Sequence, residues 1–110
     1  MSLQAADSEA GKHAVAPRVS LADIEAAIER RFHITGEEAL GMVVKRDSPL
    51  AVLSICILVM RNGFTVIGKS APASAANFNR ELGQKLAYED AVRQLWPLMG
   101  FALRDRLAGF

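Results

Sequence analysis

A chain of 110 residues has room for one domain, and a hydrophobic content of 51% supplies a core and excludes global disorder. With 13 basic against 12 acidic residues it lacks the basic footprint of a strong nucleic-acid binder. The charge is uneven: residues 1–60 carry six basic and eight acidic residues, residues 61–110 seven and four. One cysteine, Cys56, excludes an internal disulfide, and His13 and His33 are too isolated to suggest a metal cluster.

The longest apolar stretch, Leu50–Met60, has 11 residues, against the roughly 20 that a spanning helix requires. The N-terminus lacks the basic start and apolar stretch of a signal peptide. The expectation is a soluble, cytoplasmic protein that needs no membrane and no cofactor.

Residues 1–17 are small, polar and aperiodic, and read as a flexible arm before a single domain at 18–110. Ser20 and Asp23 stand in N-cap and N3 relation, and Leu21, Ile24, Ile28 and Phe32 recur at helical spacing. They predict a helix over 21–32. Residues 33–49 are ambiguous. Glu37, Glu38, Leu40 and Val44 fit a short helix. Alternatively Gly41 breaks it and Met42–Val44 is a strand, which is preferred because a two-stranded ribbon alone is marginal. Asp47-Ser48-Pro49 reads as a turn.

Two β-favouring runs flank Asn62-Gly63 and predict a hairpin, 51–60 with 64–70. A two-residue loop pairs Val59 with Val66 and Ile57 with Gly68, and puts Leu53, Ile55, Ile57 and Val59 on the core side. The other side then carries Ser54, Cys56, Leu58, Met60, Thr65, Ile67 and Lys69. That mixture is too apolar for solvent and too polar for a deep core, so a second segment or subunit is expected to cover it.

After a connector at 71–74, Ser74 or Asn77 is expected to cap a long helix over about 75–95. Its apolar side changes along its length, from Phe78, Leu82 and Leu86 to Tyr88, Ala91, Val92, Leu95 and Trp96, so it should meet two surfaces. Pro97 should kink or end it, with a further helix over about 98–107 and Gly109 as the stop. The fold class is α+β: a short antiparallel sheet built on the hairpin, with helices on its apolar face.

Three blocks, ICILVMRNGFTVIGKS, NFNRELGQKLAYEDA and LWPLMGFALRDRL, resemble a family of small phage and prophage proteins named after gene products 49 and 66 of two tailed phages. The resemblance rests on Asn62-Gly63-Phe64, Gly68, Ser70, Asn77-Phe78, Gly83, Ala87, Ala91 and Trp96-Pro97-Leu98, over about residues 50–107. Lys69 stands where the family pattern has an acidic residue. What the resemblance implies is an origin in a phage or prophage and a place in the host bacterial cell. It supplies no mechanism and no catalytic residues.

Candidate chemistry is sparse. Cys56 sits mid-strand among apolar neighbours, without the cation or helix N-terminus that activates a thiol. Glu37-Glu38 and Glu89-Asp90 are sequence neighbours, which on a helix point about 100° apart and do not converge. Gly63 fits a turn, and Gly68 and Gly83 fit close packing rather than a phosphate loop.

The function expected is a non-catalytic interaction module. It should self-associate or bind a host or phage protein through Leu58, Met60, Ile67, Tyr88 and Trp96. The alternative is a nucleic-acid binder using Lys69, Arg80 and Lys85. A helix, three strands and a helix resemble a double-stranded-RNA-binding domain, although the lysine cluster of that domain is here reduced to Arg80.

Overall fold

A computed structural model describes residues 2–110. In chain order it holds helix α1 (Leu3–His13), helix α2 (Leu21–Ala27), strand β1 (Ile28–Thr35), a short helix α3 (Gly36–Leu40), strands β2 (Ser54–Met60) and β3 (Thr65–Ser70), and helix α4 (Arg80–Leu107). The fold is α+β. The three strands form one antiparallel sheet in the order β1-β2-β3. The core helices lie on one side of it: Leu3, Leu21, Ile24, Val92 and Leu95 meet Cys56, Leu58, Met60 and Val66 in one cluster.

The third strand is not Met42–Val44. α3 is capped by Thr35 and Glu38 in a reciprocal box and stopped by Gly41 at φ 68°, and Met42 and Val43 are exposed. The third strand is β1, within the stretch expected to continue the first helix. α2 begins as predicted, with the Ser20 hydroxyl accepting from the Asp23 amide and the Asp23 carboxylate accepting from the Ser20 amide. It ends after Ala27 because the hairpin tip takes over its carbonyls. The Arg61 amide donates to Ala27 O at 2.9 Å and the Arg61 side chain to Ala26 O at 2.5 Å. These bonds satisfy carbonyls at a helix end that have no intrahelical partner. A register shift between Ile28 and Arg30 then moves the apolar side of the strand, so that Ile28 packs on the core while Phe32 and Ile34 share a side with residues facing away from it.

The hairpin forms at Asn62-Gly63, but its loop holds three residues, Arg61-Asn62-Gly63. Met60 N donates to Phe64 O at 2.8 Å and Gly63 N to Met60 O at 2.9 Å, with Gly63 at φ 87°. This is the three-residue loop with glycine in the left-handed position. The register is therefore one residue away from the two-residue prediction: Leu58 pairs with Val66, Ile57 with Ile67 and Cys56 with Gly68. The predicted sides of β2 are exchanged. Ser54, Cys56, Leu58 and Met60 are buried under α4, and Ile55, Ile57 and Val59 face the other way.

The small residues explain this choice. A Cβ on Gly68 would run into Ala87 O and lie 2.5 Å from Ala91 N, so the α4 backbone rests directly on the strand. Gly83 meets the Ser54 hydroxyl in the same way. Only the side bearing Ser54, Cys56 and Gly68 lets a helix approach this closely.

α4 is capped by Asn79, whose side chain accepts from Leu82 N at 2.9 Å, rather than by Ser74 or Asn77. It continues through Pro97 without a break, so the separate C-terminal helix expected at 98–107 is the last part of α4. Proline lacks the amide that would serve Arg93 O, but Pro97 is exposed and water can take that role.

The stretch expected to be an arm contains α1, which starts at the Ser2 cap and is tied down by Leu3 in the core. The Asp7 carboxylate accepts from Arg18 at 2.8 Å and from the Leu21 amide at 3.0 Å. Met1, the first residue of that expected arm, lies outside the described residues.

Candidate interaction surface on the open side of the sheet

Because α4 claims the side holding Cys56 and Gly68, the side chains at alternate positions are left facing outward. Across the three strands they form three rows: Arg30, Val59 and Thr65; Phe32, Ile57 and Ile67; Ile34, Ile55 and Lys69. Six of the nine are large and apolar. Ile67 is 60% exposed and Phe32 40%, while Ile34, Ile55, Ile57 and Val59 are half-buried. The guanidinium of Arg30 lies 4.9 Å from the centre of the Phe32 ring, which covers part of that ring without neutralising the patch.

The two edges of the sheet differ. α4 closes the β3 edge: Asp90 accepts from the Lys69 amide at 2.9 Å and Gln94 donates to Ile67 O at 2.8 Å. β1, the other edge strand, pairs only with β2 and carries the charges of Glu29, Arg30 and Arg31.

The expected interface residues separate. Leu58 (0% exposed) and Met60 (6%) belong to the chain's own core and cannot face a partner. Ile67 is exposed at the centre of the open side. Tyr88 is half-buried with the Arg31 guanidinium 4.4 Å from its ring centre. Trp96 is half-buried too, and its indole N–H donates to Val19 O at 3.1 Å, fixing α4 to the start of α2. Phe32, Ile34, Ile55, Ile57 and Val59 were not assigned to a surface from the sequence. The available signal was the run 51–60, apolar on both sides, one of which had to stay uncovered.

A second apolar surface lies at the far end of α4. Leu98, Phe101 (71% exposed) and Leu107 are exposed there, and a groove of about 380 Å³ runs between this end and the hairpin tip, lined by Met60, Phe64, Leu98, Met99 and Ala102.

The expected nucleic-acid contacts do not form one surface. Lys69 lies on the open side at the β3 edge, whereas Lys85 lines a cleft between α4 and β1 on the helical side, and Arg80 is exposed at the first residue of α4. Burial pushes the Cys56 thiol above its usual pKa, opposite to what a nucleophile needs. Among the described residues no group of three or more His, Cys, Asp or Glu could hold a metal ion, and no helix is long and apolar enough to cross a membrane.

Comparison with curated proteins and with solved structures found no significant match. The model of one protein family matches residues 19–107, from the segment before α2 to the last residue of α4, and so includes the whole sheet and its covering helix. The chain belongs to the phage protein family of N4 Gp49 and phage Sf6 gene 66.

Proposed function

We propose that this phage-family protein is a non-catalytic interaction module that pairs with a second copy by stacking the open sides of the two sheets. The observation that carries the reading is the central row Phe32, Ile57 and Ile67, apolar across three strands with no core helix above it. Contiguous exposed apolar surface of several hundred Å² marks association sites in soluble proteins. One three-stranded apolar face can meet its own copy across a two-fold axis, and two such faces stack at about 10 Å with interdigitated side chains. The site of action proposed is the host cytoplasm, where a host or phage protein with a similar apolar face could replace the second copy.

Sedimentation equilibrium tests the reading. Wild type should be dimeric at micromolar concentration. Ile57→Lys and Ile67→Glu should be monomeric with unchanged circular dichroism, because both side chains point away from the core. A monomeric wild type at high micromolar concentration would refute the pairing.

The nucleic-acid reading has in its favour a helix, three strands and a helix, α2, β1, β2, β3 and α4, although α3 interrupts that order between β1 and β2. The separation of Lys69 from Lys85 weighs against it. A gel shift with duplex RNA and duplex DNA over a salt series separates the two readings, since phosphate-driven binding weakens steeply with salt.

A further inference from the structure

α4 crosses β3 and β2, and beside it the inner side of β1 is only partly covered. There Arg31 and His33 of β1 and Glu81, Gln84, Lys85 and Tyr88 of α4 line a cleft of about 270 Å³. The convergence follows from two periodicities. Positions 31 and 33 share one side of a strand, and positions 81, 84, 85 and 88 share one face of a helix. We propose that this cleft binds the phosphate group of a small ligand, independently of the pairing through the open side of the sheet.

Three observations support this. First, Arg31 and Lys85 border the cleft and form no ion pair with any described residue, the Arg31 guanidinium resting instead on the Tyr88 ring. Second, His33 Nδ1 is buried and makes no hydrogen bond, a rare condition for a polar atom, and His33 itself lines the cleft, so that a turn of its ring would bring a nitrogen to a ligand oxygen. Third, Gln84 adds an amide donor to the lining.

The opposing group is Glu81, the one carboxylate of the lining. It is exposed, where water screens its repulsion. The groups around His33 are Arg31 on its own strand, Cys56 paired with it on β2, and Glu81, Lys85 and Tyr88 from α4. Burial and Arg31 lower the His33 pKa, and a bound anion should raise it.

The Tyr88 ring already carries the Arg31 guanidinium, so no open aromatic face is offered to a base there. Recognition should therefore stop at the phosphate, whether it comes from inorganic phosphate or from a nucleotide.

NMR of the two imidazoles tests this, with His13 on α1 as the internal control. Inorganic phosphate and adenosine monophosphate should each shift the His33 ring signals at millimolar concentration and raise its pKa, leaving His13 unmoved. Lys85→Gln, a change at an exposed side chain, should weaken binding about tenfold, the loss of one charge-assisted bond. Sulfate, whose charge is fixed through this range, should bind more weakly as pH rises and His33 loses its proton; this arm needs no variant. No shift at His33, equal shifts at both histidines, undiminished binding to Lys85→Gln, or a response to the nucleotide with none to inorganic phosphate would each overturn the proposal.

Discussion

Two glycines of the hairpin carry different loads. Gly63 has φ 87° and open space around its α-carbon, so Gly63→Ala should cost about 1 kcal/mol of local strain. Gly68 supports the α4 backbone, so Gly68→Ala must push the helix off the sheet and should cost about 2–3 kcal/mol. Urea denaturation of both variants tests the order, and equal losses would contradict the close approach of helix to strand. His33 contributes a pH dependence. Its pKa lies below the ordinary 6.5 in the folded chain, so the unfolded chain binds more protons once the pH falls below that value. Stability should be full above the unfolded pKa and decline as pH falls from about 6.5 toward the folded pKa. His33→Gln should flatten that window. Asp7, held down by Arg18 and the Leu21 amide, and Asp23, held down by the Ser20 cap, act lower: their stabilisation is lost as pH falls below their ordinary 3.8.

Helix α4 is the element on which the rest is placed. It spans 28 residues, about 42 Å at 1.5 Å per residue, and covers strands of seven and six residues, so it overhangs the sheet. Its buried positions, Gly83, Ala87, Glu89, Ala91, Val92 and Leu95, all precede Pro97. Beyond Pro97 it has no buried residue, and Pro97 itself is exposed. Pro97→Ala should therefore stabilise the protein by about 1–3 kcal/mol, by restoring a helical hydrogen bond without loss of packing. A higher thermal midpoint is the expected result, and a lower one would assign the proline ring a contact. α1 is held to the body by few groups. Leu3→Ala should cost about 2 kcal/mol, at the low end for a buried leucine because the site lies at a chain end.

The whole molecule is elongated, with a radius of gyration of 16.6 Å where a compact chain of this size has about 13 Å. Its long dimension of 53 Å leaves apolar surface both on the open side of the sheet and along the end of α4. The proposed association through the sheet would be driven by apolar burial, so added sulfate salts should strengthen it. Light scattering across a sulfate series checks this, and dissociation with rising salt would point to a charge-driven contact. Of the open side, the sequence showed Ile67 and the surplus of apolar residues over 51–60, but not which residues faced out. That assignment depends on a one-residue register, and a shift of one residue exchanges the two sides of a strand completely.

Some features are fixed locally. The Ser20 cap with Asp23, the glycine stop at Gly41 and the hairpin at Asn62-Gly63 each follow from hydrogen bonds or dihedral angles within a few residues, and a sequence carries that information directly. Other features wait for distant partners. Ile28–Thr35 keeps helical spacing with Leu21 and Ile24, yet it is a strand because β2 and Arg61 of the hairpin tip engage its backbone and the end of α2. The buried side of β2 is the one that allows α4 within van der Waals reach of Gly68, although the opposite side is the more apolar. Local chemistry set the punctuation of the chain. Close packing between segments far apart in sequence decided which strand was third and which side of the sheet stayed open, because backbone approach and register are properties of pairs of segments and not of either one alone.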